Sequence, residues 1–136
     1  MLAVKTYPTE YVNACRARVD AQLAAYDALD AATTPAARRT AFDAEFFANM
    51  VLVLELSFVH RQRGLEGKDG NPLNEVRMLA NSILAHDGVL APDSTVGFKA
   101  ETAVASIAIG EAIALDRATF GRVAEAYFAE IERRFT

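Results

Sequence analysis

The stretch FDAEFFANMVLVLELSFVH, residues 42–60, decides how the rest of the chain is read. It holds no glycine or proline, and the run free of both continues from the turn at Thr33, Thr34 and Pro35 as far as Gly64, which reads as one long helix. At about 100° per residue, Phe42, Phe46, Met50, Val53, Ser57 and His60 share one arc, with Phe47, Val51, Leu54 and Phe58 beside it and Leu52 and Leu56 on the other flank. Only a narrow polar strip remains, near Glu55 and Gln62. A helix apolar almost all round is either the centre of a bundle or a surface shared with a second copy, so self-association is expected. A membrane crossing is not, because the apolar part from Phe46 to Val59 contains Asn49 and Glu55 and falls short of the roughly 20 residues a span needs.

Outward from this helix the pattern stays helical. A first helix is expected from near Pro8, with Thr6 as its cap and Tyr11, Val12, Cys15, Val19, Leu23 and Tyr26 on its buried arc. Cys15 in that arc reads as a small buried hydrophobe, not a reactive thiolate. A third helix is expected from the Asn71 cap and Pro72 to Gly88, burying Val76, Leu79, Ala80 and Ile83. From Gly88 to Ala103 the helical pattern lapses at Pro92, Asp93, Ser94 and Gly97. Over residues 104–115, Ile107, Ile109, Ile113 and Leu115 scatter on a helix but share one face of an antiparallel pair turning at Gly110 to Ala112. That segment reads as a β-hairpin, to which Val96 to Lys99 would add a third strand; six alanines between Ala100 and Ala114 keep a helix open as the alternative. Asp116 should cap a last helix with Phe120, Val123, Ala124, Tyr127, Phe128, Ile131 and Phe135 inside. The expectation is a mainly α fold: residues 1–136 as a single helical domain, a bundle of four main helices with a small β-hairpin before the last.

Composition bounds the function. Apolar residues make up 52% of the 136, but 27 are alanine, so the large apolar side chains must nearly all be used in a core or an interface. Fourteen basic against 18 acidic residues remove the charge term that drives phosphate-backbone binding, so no nucleic acid partner is expected. Met1 to Pro8 lacks the apolar run of a signal peptide, and the lone cysteine can form no internal disulfide; a cytoplasmic protein is the expectation.

Motifs for chemistry are sparse. Two histidines without a Glu-x-x-His or His-Glu-x-x-His spacing give no metal pattern, and no cofactor is expected. Gly64-Leu-Glu-Gly67-Lys68-Asp69 departs from the P-loop in spacing and lacks its hydroxyl, and the segment from Asp69 lacks the oxygen ligands of a calcium loop. What stands out is the polar passage from His60 to Arg77, with three glycines within Gly64 to Gly70. Arg61, Arg63, Lys68 and Arg77 offer positive charge, Asn71 and Asn74 flank a helix start, and His60 adds an imidazole as a proton donor or hydrogen-bond partner, so these seven residues are the candidate ligand site for a small anion bearing phosphate or carboxylate. Against this, Glu66, Asp69 and Glu75 leave the passage a net charge of only +1, which a solvated turn explains as well. His60 continues the Phe42 arc and is expected at the buried edge of the bundle, and His86 at a helix end beside free carbonyls. Glu55 is expected to mark the solvent line, needing an arginine partner if it is buried. Three functions remain in order: a non-enzymatic assembly module acting as a homo-oligomer, first a dimer; a small-anion binding module at Gly64 to Arg77; and an enzyme using His60 with Glu75 or Asp69.

Overall fold

A computed structural model describes residues 3–29 and 33–136. Its helices are α1 (Thr9–Asp27), α2 (Ala36–Ser57), the single turn α3 (Arg63–Glu66), α4 (Pro72–Ala85) and α5 (Arg117–Phe135). The protein is mainly helical, and α2 packs on α4 and α5, with α1 and α3 also against α5. The buried apolar side chains form one connected cluster. At its centre Phe47, Phe58, Leu73, Val76, Phe120, Tyr127 and Ile131 are fully enclosed, and Cys15 is buried with them.

Helix starts follow the expected chemistry on the C-terminal side of the chain. The Asn71 side chain accepts from the Leu73 and Asn74 N–H groups ahead of Pro72, and Asp116 Oδ1 accepts from the Thr119 N–H at 2.8 Å. The α5 stripe is buried as its periodicity requires. At α1 the residue before the helix is Pro8 and no side chain caps it, so Thr6 does not play that part.

The long helix ends earlier than expected, at Ser57 rather than near Gly64. Its last carbonyls are taken from outside: the Tyr127 hydroxyl donates to Leu54 O at 3.2 Å, Tyr11 donates to Ser57 O, and Arg61 Nη1 donates to Phe58 O at 3.1 Å. Phe58 then leaves helical geometry at φ −133° and ψ 28°, and the chain runs beside Val4, which donates to His60 O at 2.8 Å and accepts from the Gln62 N–H at 2.7 Å. His60 is therefore carried out to solvent instead of to the bundle's buried edge.

The expected β-hairpin over residues 104–115 does not form, and no strand occurs among the described residues; only isolated bridges join Val4 to Arg61 and Val89 to Ala112. The alternative helix is absent there too. A turn does lie close to the expected place, with the Glu111 N–H donating to Ala108 O at 3.0 Å and Gly110 at φ 89°. Its arms, however, bond to the segment after α4: Leu90 N–H to Glu111 O at 2.9 Å, Gly110 N–H to Leu90 O at 2.8 Å, and Ile113 N–H to Gly88 O at 2.7 Å. The alternation also fails on one member, since Ile107 and Leu115 are buried while Ile109 is exposed. Val96 to Lys99 adds no strand; instead the Gly97 N–H donates to Lys68 O at 2.7 Å.

Helix α4 holds this irregular connection with polar side chains on its inner face. The buried Glu75 carboxylate accepts from the Val104 and Ala105 N–H groups at 2.9 and 2.8 Å, and Ser82 Oγ accepts from the Ala91 N–H at 3.0 Å. Two backbone donors that a sheet would have paired are bonded by one carboxylate.

Candidate functional site

The passage from His60 to Arg77 folds around Glu66, whose side chain is wholly buried at the end of α3. Arg61 Nε lies 2.7 Å from Glu66 Oε1, an ionic contact without hydrogen-bond alignment. Arg77 donates to both Glu66 oxygens, Nε at 3.1 Å, and Asn74 Nδ2 donates to Oε2 at 2.7 Å. Glu55, at the end of α2, accepts from Arg61 Nη1 at 3.1 Å and lies 3.6 Å from Arg77 Nη1. The buried Arg61 guanidinium also donates to Leu73 O at 3.1 Å and to the Tyr127 hydroxyl at 3.2 Å. Two carboxylates and two guanidiniums thus tie α2, α3, α4 and α5 together at one end of the bundle.

The two carboxylates respond oppositely to this setting. Burial pushes the Glu55 carboxyl above its ordinary value, with Arg61 and Arg77 only partly opposing it. Burial acts the same way on Glu66, but the Arg77 bond, the Arg61 charge and the Asn74 bond outweigh it and hold that carboxyl low. Among the described residues, Glu55 Oε2 and the Tyr7 hydroxyl are buried without a bonding partner; burial raises the Tyr7 phenol to about 12, against the pull of Arg61.

Of the seven residues singled out in the sequence, Arg61, Asn74 and Arg77 converge on Glu66. Asn71 serves the start of α4, and its amide donates to Glu66 O at 2.8 Å. His60, Arg63 and Lys68 are exposed; Arg63 lies 3.9 Å from Glu66 Oε2. The loop glycines have conformational work: Gly67 and Gly70 sit at φ 80° and 84°, and a Cβ on Gly70 would stand 2.7 Å from Gly97 O. At His86 the backbone N–H, not the ring, bonds Ser82 O at 2.9 Å. Among the described residues, no three His, Cys, Asp or Glu side chains gather as a metal-holding group.

Glu55 is the residue whose place periodicity missed. It lies inside, 8% exposed, while its neighbour Leu56 is 74% exposed. The signal that bears on it is a lone acid in an apolar run followed six residues later by an arginine, the Glu55–Arg61 pair. The outward face of α2 consequently carries Phe42 and Leu56, with Val59 exposed just beyond the helix. No helix among the described residues is long and apolar enough to cross a membrane. No family model matches this chain, and neither a curated protein nor a solved structure does.

Proposed function

We propose that the protein is a non-enzymatic assembly module that works as a homo-oligomer, a dimer in the first instance, through the outward face at the end of α2. The observation that carries this reading is Leu56, 74% exposed and followed by the exposed Val59, on a helix whose one nearby acid has been drawn inside. Covering a leucine is worth about 1.5–3 kcal/mol, and a two-fold axis through this face would bury the same side chains from both copies. Sedimentation velocity across a micromolar concentration series tests it: a concentration-dependent dimer is expected, reduced to monomer by Leu56→Glu. A monomer at high micromolar concentration in the unmodified protein overturns it.

The small-anion reading of the loop from Gly64 to Arg77 has less support. Arg61 and Arg77 are engaged by Glu55 and Glu66, and the first N–H groups of α4 by Asn71, leaving Arg63 and Lys68 to carry it. An acid–base role for His60 with Glu75 or Asp69 is weaker still, because Glu75 faces inward to Val104 and Ala105 and Asp69 accepts from the Asn71 amide, while His60 faces solvent.

A further inference from the structure

At the opposite end of α2 from Leu56, a cavity of about 680 Å³ opens between the end of α1 and the starts of α2 and α5. Its size lies within the roughly 300–1,000 Å³ of small-molecule sites. One wall is aromatic: the Tyr26 and Phe42 rings stack with centroids 6.4 Å apart and planes at 11°, and Phe46 stacks on Phe42 at 5.4 Å. Phe42 is the half-exposed member of this ring cluster and lines the cavity, so a flat ring has room to lie against its open side.

The charges around the cavity balance in number, with Arg38, Arg39 and Arg117 against Asp27, Asp43 and Asp116, but not in commitment. Asp27 accepts from Arg117 through both oxygens, at 3.0 and 3.1 Å. Asp43 accepts from the Tyr26 hydroxyl at 2.6 Å, and Asp116 caps α5. Each acid therefore has a donor. Arg39 lies against the Tyr26 hydroxyl, a neutral group, and Arg38 has no side-chain partner among the described residues. Arg38 is four residues before Phe42 and so stands on the same face of α2, one turn from the open ring. A guanidinium in that position matches a carboxylate in both charge and shape.

We propose that this cavity binds a small planar aromatic acid, with its ring stacked on Phe42 and its carboxylate held by Arg38. The site lies at the other end of α2 from Leu56 and does not depend on self-association.

Titration calorimetry with three probes separates the two contributions: naphthoate, naphthalenemethanol, which keeps the rings without the charge, and cyclohexanecarboxylate, which keeps the charge without a flat ring. Naphthoate should bind at least about tenfold more tightly than either. Arg38→Ala should weaken it about tenfold and Arg38→Glu further; Arg38 is exposed, so both variants should fold. Phe42→Leu, which keeps apolar bulk, should also weaken it, and Leu56→Glu should leave it unchanged. Equal binding of the three probes, no measurable naphthoate binding, or full affinity in Arg38→Ala would overturn the proposal. So would amide shifts on naphthoate addition centred on Leu56 instead of on Arg38 and Phe42.

Discussion

Glu55 and Leu56 are neighbours on α2, yet the acid is inside and the leucine outside. Around Glu55 the protein has assembled two arginines, an asparagine, a tyrosine and a second glutamate. Leu56, one residue and about 100° further round the helix, has solvent. The contrast shows that position in this bundle follows partners more than hydropathy. A charge goes inside where opposite charges and bonds offset its desolvation, and an apolar side chain stays outside when no element of the same chain reaches it.

The sharpest way to break the buried side of this comparison is Arg61→Met. It removes one of the two cations that Glu55 and Glu66 share, leaving Arg77 between them, and should cost about 3–5 kcal/mol by urea denaturation. If stability is kept, the cluster is not what holds the end of the bundle. Glu75→Gln comes next: an amide can accept from one of the Val104 and Ala105 N–H groups but presents its own donors to the other. We expect a loss of about 1–3 kcal/mol and faster hydrogen exchange at those two amides. Unchanged exchange there would show that the carboxylate is dispensable.

Acid separates the two glutamates. Glu66 is held below its ordinary value of 4.5, so the unfolded chain takes up that proton first; its stabilisation is present above that value and is lost as pH falls through the lower folded value. Glu55 is raised, so the folded protein takes up its proton first and gains relative stability over the same acidification. Denaturation series between about pH 3 and 6 should therefore show a flatter acid limb in Glu66→Gln and a steeper one in Glu55→Gln. Matching limbs would mean that the two carboxylates share one environment. On the exposed side, Leu56→Glu should change the stability of the folded monomer by no more than about 0.5 kcal/mol, whatever it does to assembly. A larger loss would place Leu56 in the protein's own packing.

Much of the helical frame was legible because it depends on neighbours in sequence. The Asn71 and Asp116 caps act within three residues, and the α5 stripe is periodic, so both could be read directly. The three charged or polar residues that meet at Glu66 stood out as a dense cluster, but their density pointed equally to a ligand and to one another. What escaped reading depends on distant groups. Helix α2 stops where Tyr11, Arg61 and Tyr127 take its carbonyls, and two of these lie 46 and 73 residues from the carbonyls they bond. The alternation of Ile107, Ile109, Ile113 and Leu115 points to a hairpin, whereas the segment's backbone is bonded by Glu75 and by residues 88–90. Hydrophobic spacing carries no record of such partners.

The turn at Ala108 to Glu111 has a practical consequence for labelling. A Cβ added at Gly110 meets nothing within 4 Å, and both Ile109 and Gly110 are exposed, so the tip touches little besides its backbone bonds to Leu90. Only a few residues earlier, Val104 and Ala105 are fastened to the interior by Glu75. A short epitope or fluorophore-binding tag should accordingly be accepted between Ile109 and Gly110, ahead of the two bonds to Leu90, and rejected between Val104 and Ala105.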